Sequence, residues 1–122
     1  MTPLETVRAF MAAAEKRDYD AALEFLSDDI EYQNMPLPPV FGKPAVLETL
    51  EFLLSMCTGS EWVVHRELTD GNVVMNERTD RFELNGEWAD LPVAGVFEIR
   101  DGKIALWRDY FDLPTITSKM GV

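Results

Sequence analysis

Arg81-Phe82-Glu83-Leu84-Asn85-Gly86-Glu87-Trp88-Ala89-Asp90-Leu91 has the form of a β-hairpin. Asn-Gly accepts the positive φ of a tight turn, and the segments on either side are the length of strands. Working outward, Asp70-Gly71 and Asp101-Gly102 repeat the signal. Strands are expected at 61–69, 72–84, 87–100 and 103–112, joined as an antiparallel meander. Strands of this length tend to bend, and Gly95 lies where one of them can do so.

Upstream the punctuation is that of helices. Thr2-Pro3-Leu4-Glu5 reads as a capping box, with Thr2 as N-cap, Pro3 at the first helical position and Glu5 three residues after the cap. Val7, Phe10, Met11 and Ala14 then recur at helical spacing and make one apolar face. A second helix is expected with Asp18 or Asp20 as cap, Ala22, Leu23 and Leu26 on its buried side and Ser27-Asp28-Asp29 as its end. Ile30 to Asn34 reads as a short strand, and Pro36-Leu37-Pro38-Pro39 forbids helix and central strand alike. Gly42-Lys43-Pro44 opens a third helix, whose Val46, Leu47, Leu50, Leu53, Leu54 and Cys57 are apolar around much of its circumference. It is expected to lie deep against the sheet. Helices segregated from strands give an α+β fold. The expected form is a cone, with a strongly curved mixed or antiparallel sheet and three N-terminal helices covering a pocket, in a single domain over residues 1–122.

Composition narrows the function. Apolar residues make up 47% of the 122 positions, which suits a packed globule. The formal charge of -11 repels phosphate backbones and anionic headgroups, so neither nucleic acid nor a membrane surface is expected as a partner. The first residues carry no basic start and apolar stretch, which leads to the expectation of a cytoplasmic protein. One cysteine, Cys57, and one histidine, His65, provide no zinc set and no cysteine nucleophile. Catalysis, if present, then falls to carboxylates and arginine.

Strand alternation places Val74, Asn76, Arg78, Asp80, Phe82 and Leu84 on one face, and Ala105, Trp107, Asp109 and Phe111 on one face of the last strand. A carboxylate between large aromatics is costly unless paired, and the planar guanidinium of Arg78 can hold one carboxylate on each side. Arg-x-Asp alone reads more readily as an ordinary ion pair on a solvated sheet. Two features argue for a pocket instead: both aspartates share the parity of the apolar residues, and Tyr32 and Asn34 repeat the pattern of polar groups two apart on another strand.

These stretches resemble the limonene-1,2-epoxide hydrolases, of the cone-shaped fold shared with nuclear transport factor 2 and ketosteroid isomerase. The likeness rests on Asn76-Glu77-Arg78-Thr79-Asp80, on Glu31-Tyr32-Gln33-Asn34, and on Gly95-Val96-Phe97 through Gly102-Lys103-Ile104 to Trp107-Arg108-Asp109-Tyr110-Phe111-Asp112. It implies a cofactor-independent enzyme that adds water to small apolar, cyclic or terpenoid-like epoxides. By the same resemblance Asp109 matches the general base, Asp80 the general acid, Arg78 the bridge between them, and Tyr32 with Asn34 the pair that orients water. Two alternatives stay open on the same fold: a ketosteroid-isomerase-like or polyketide-cyclase-like proton-transfer enzyme, and a binding module without catalysis.

Leu53, Phe82, Leu91, Val93 and Phe111 are candidates to line the pocket, each equally compatible with plain core. His65 falls off the acid-bearing faces, Cys57 reads as core, and Trp62, Trp88 and Trp107 read as packing or interface residues. The outer side of the sheet, with Val96, Glu98, Arg108 and Tyr110, is expected to pair two copies as a homodimer.

Overall fold

The structure, a computed structural model, describes residues 1–120. Helices α1 (Pro3–Glu15) and α2 (Tyr19–Glu24) are followed by strands β1 (Leu26–Asn34) and β2 (Val40–Phe41), then by helix α3 (Lys43–Ser55). The meander comprises β3 (Gly59–Asp70), β4 (Val73–Leu84), β5 (Glu87–Arg100) and β6 (Lys103–Tyr110), and helix α4 (Leu113–Met120) closes the described chain. The strands form one strongly curved sheet in the order β2-β1-β6-β5-β4-β3. Neighbours run antiparallel except β1 and β6, which are parallel, so the sheet is mixed.

Local chemistry accounts for the element ends. The Thr2 hydroxyl accepts from Glu5 N–H at 3.1 Å while the Glu5 carboxylate accepts from Thr2 N–H at 2.8 Å, so the capping box satisfies two orphan donors at once. Asp18 is the cap of α2, accepting from Ala21 N–H at 3.3 Å. Asn85 and Gly86 both take positive φ, 52° and 81°, as the tightest hairpin turn demands.

The sequence expectations need three corrections here. Helix α2 stops at Glu24, and Leu26 to Asp29 belong to β1. There Leu26 pairs with Ile104 of β6, and this sheet contact overrides the capping character of Ser27-Asp28-Asp29. The last strand ends at Tyr110, and the chain continues into α4, whose start is fixed by Asp112 accepting from Thr115 N–H at 3.2 Å and from its hydroxyl at 2.6 Å. Val40 and Phe41 form a two-residue edge strand after the proline loop.

Helices pack on the concave face. Phe10, Phe97, Ile104 and Trp107 centre the core, with Phe10 edge-on to Trp107 at 5.0 Å between ring centroids and Phe97 stacked on it at 5.9 Å. Each such ring contributes roughly 1.5–3 kcal/mol by burial. A second apolar cluster comprises Leu54, Cys57, Phe82, Leu91, Val93 and Ile116. Of the apolar residues of α3, Val46, Leu50 and Leu54 are buried, whereas Phe52 is exposed. No helix of the described residues is long and apolar enough to cross a membrane.

Candidate active site

Strand register brings the polar residues together. On β4 the inward positions Asn76, Arg78 and Asp80 are all buried between the apolar Val74 and Phe82, and their outward neighbours Met75 and Glu77 are exposed. The antiparallel partner β5 sets Gly95 opposite Asn76, and Gly95 is also opposite Asp109 of β6. The parallel pairing of β1 with β6 then puts Tyr32 beside Trp107 and Asn34 beside Asp109. Residues 75 positions apart in sequence thus become lateral neighbours on the concave face.

Arg78 is 2% exposed and uses all five of its N–H donors. Nε and Nη2 donate to the two oxygens of Asp80 at 2.9 and 3.0 Å. Nη1 and Nη2 donate to the two oxygens of Asp109 at 3.2 and 2.9 Å. The remaining Nη1 hydrogen goes to Asn76 Oδ1 at 3.0 Å. Asp109 Oδ1 accepts a further bond from the Trp107 indole at 2.9 Å. Asp109 therefore receives three N–H donors and Asp80 two. Desolvation raises the proton affinity of the Asp80 carboxyl; Arg78 opposes this and the Asp109 charge adds to it.

Tyr32 stacks on Trp107 at 4.1 Å, and its hydroxyl donates to Asn34 Oδ1 at 3.2 Å. Burial pushes the phenol well above its ordinary range, with the Asp109 charge in support, so Tyr32 stays a neutral donor and acceptor. Tyr32, Asn34, Asp80 and Asp109 border one cavity of about 320 Å³ whose remaining wall is almost wholly apolar. All five expected lining residues, Leu53, Phe82, Leu91, Val93 and Phe111, are on that wall. Leu113, Ile116 and Thr117 of α4 join them. Arg78 stays behind the carboxylates, outside the residues that border the cavity.

The family model of the limonene-1,2-epoxide hydrolase catalytic domain matches residues 1–121. The chain belongs to that family. It is an epoxide hydrolase, similar to epoxide hydrolase EphG of Mycobacterium tuberculosis at 36% identity over 107 residues, 88% of this chain and 71% of that protein. It is also similar to a solved structure described as an LEH-like epoxide hydrolase of M. tuberculosis, with 33% identity, a TM-score of 0.83, and coverage of 97% of this chain and 88% of the other. An NTF2-like protein of unknown function from Burkholderia pseudomallei shares the fold at 18% identity, with a TM-score of 0.89 over 100% of this chain and 99% of that one.

Several site features were not legible in the sequence. Asn76 carries the right parity, yet its hold on Arg78 is a tertiary fact. Trp107, expected as a packing residue, donates to Asp109, and Trp62 borders the cavity. His65 lies at an irregularity of β3, between Val64 and Arg66, and its Nε2 meets Thr79 Oγ1 at 2.8 Å on the exposed outer face. Cys57 is buried below α3.

Proposed function

We propose that the site adds water in one step to a small apolar epoxide of cyclic or terpenoid-like shape, giving a vicinal diol. Asp109 takes a proton from water as general base while that water attacks a ring carbon. Asp80, protonated, gives its proton to the ring oxygen as the C–O bond breaks. Tyr32 and Asn34 orient the water, and Arg78 fixes the two carboxyls and limits their repulsion. The observation that carries this reading is the bridge of four hydrogen bonds from Arg78 to Asp80 and Asp109, two carboxyls that border the same largely apolar cavity. The apolar wall supports an apolar substrate, and its five residues Leu53, Phe82, Leu91, Val93 and Phe111 would contact it.

A panel of aliphatic, cyclic and terpenoid epoxides, followed by diol formation, tests the reading. Turnover of the cyclic members by the native chain and its loss in Asp109→Asn are expected. A proton-transfer isomerase or cyclase would instead act on an enolisable ketone and ignore the panel. The exposed apolar residues of the outer sheet face, Met75 and Tyr110 among them, support pairing of two copies, and light scattering at micromolar concentration would give twice the chain mass.

A further inference from the structure

One turnover leaves the pair reversed: Asp109 holds the proton taken from water, and Asp80 has given its own to the ring oxygen. The next turnover requires both to be reset. Among the described residues the cavity's other titratable lining groups are Tyr32, whose buried phenol holds its proton tightly, and Asp109, which carries the proton taken from water but makes no hydrogen bond with Asp80. Arg78 is no better a source: despite its burial, the two carboxylates hold its protons more firmly than usual.

A second opening reaches the network from behind. A groove of about 240 Å³ runs between α1 and strands β3 and β4. The Arg8–Glu67 ion pair, 2.8 Å, borders it, and it reaches Asn76, the residue that accepts from Arg78. Glu15, the last residue of α1, is on its wall, and Glu15 Oε2 accepts the Trp62 backbone N–H at 2.7 Å. Trp62 is the register partner of Asp80 across β3 and β4, and it borders both the groove and the substrate cavity, so it forms the partition between them. Its indole N–H is buried and lacks a partner among the described residues, a donor placed to hold a bridging water in that partition. The charge of Glu15 is also felt at Asp80.

We propose that Glu15 is the proton relay that reloads Asp80 from the rear groove, through water held along the edge of Trp62. The inference rests on the one-step reading above. Glu15 takes a proton from an acid in solvent and passes it through the water to the Asp80 carboxylate, ending as it began. Asp109 releases its proton to water that enters as the diol leaves, so each turnover is proton-neutral.

Glu15→Gln tests this, because the amide oxygen can still accept from Trp62 N–H while the relay is lost. With enzyme in excess over a cyclic epoxide, the first turnover should run at the native rate, since Asp80 begins protonated. Steady-state kcat should fall about tenfold or more and recover, saturably, as small acids such as acetic acid or imidazolium are added. Unchanged kcat, an equally slowed first turnover, or no recovery with added acid would each overturn the relay. A native chain that hydrolyses no epoxide would overturn instead the reading on which it rests.

Discussion

Gly95 lies against the guanidinium of Arg78 so closely that a β-carbon built on it would stand 2.5 Å from Nη1. The same carbon would be 2.7 Å from Asn76 Oδ1 and 3.0 Å from Asp109 Oδ1. Arg78 cannot swing aside, because five hydrogen bonds and near-complete burial hold it. Gly95→Ala should therefore lose on the order of 10²-fold in kcat through misplaced carboxylates. It should also lose about 1–3 kcal/mol of stability by overpacking. Steady-state kinetics and thermal unfolding check both; native activity would mean that the bridge does not position the reacting groups.

Asp80→Asn and Asp109→Asn should each abolish turnover with the fold intact, since one removes the proton donor and the other the acceptor. Arg78→Ala should be inactive and also less stable by roughly 3–5 kcal/mol, because it leaves the buried Asp80 and Asp109 carboxyls without their shared partner. Circular dichroism and denaturant unfolding beside the assay separate the cases. A stable, active Arg78→Ala would remove the bridge from the mechanism.

The stability of the chain should carry a signature of Asp80. Burial raises its proton affinity in the folded state above that of the unfolded chain, Arg78 acting against and Asp109 with it. As pH rises from the ordinary carboxylate value near ~3.9, the unfolded chain gives up this proton first. Folding stability from this group is greatest at low pH and is lost up to its raised folded value, with no further change above it. The Tm of the native chain should thus fall relative to that of Asp80→Asn across this window. A native chain that gains on the variant as pH rises would show that Asp80 is ionised more easily on folding, and it would lose its role as acid.

Trp107→Phe separates packing from positioning. Phenylalanine can keep much of the stacking on Tyr32 and the edge contact with Phe10, but it removes the N–H that donates to Asp109 at 2.9 Å. A hydrogen bond to a charged group contributes about 1.5–3 kcal/mol, so kcat should drop about tenfold or more, with KM little changed. A change confined to KM or to Tm would leave Trp107 as a core residue only.

What could be read from sequence follows the reach of each signal. Alternation is a property of the backbone, so the parity of Asn76, Arg78, Asp80 and Asp109 was legible without coordinates, and so was the turn at Asn85-Gly86. The parallel pairing of β1 with β6, which sets Asn34 beside Asp109, joins distant segments and leaves no local mark. For the same reason Ser27-Asp28-Asp29 resembled a helix end, although they lie in β1, in the irregular stretch between the Leu26–Ile104 and Glu31–Leu106 pairings with β6. Helix α4 did have a local signal, Asp112 followed by Thr115, but one short helix after a long strand run offered little apolar period to support it. The contacts of Glu15 with Trp62 and of Gly95 with Arg78 depend on packing between elements, which no spacing rule encodes.

The order of bond making distinguishes direct hydration from the other route to the same diol, in which an aspartate attacks the epoxide and water then cleaves the ester. That second step needs a further base near the ester, commonly a histidine, and His65 is exposed on the outer face, hydrogen-bonded to Thr79, whereas the carboxylates are buried on the concave face. If Asp109 activates water, the new oxygen comes from solvent at once. A single turnover in water enriched in heavy oxygen, with enzyme in excess, should therefore label the first diol and leave every recovered carboxylate unlabelled by peptide mass analysis. Ester formation would send a protein oxygen into that first diol and leave solvent label in Asp80 or Asp109. His65→Gln supplies the independent arm: it should keep most of the activity, because only the ester route has a task for a histidine. Unlabelled first-turnover diol would overturn Asp109 as base while leaving the fold and the family assignment untouched.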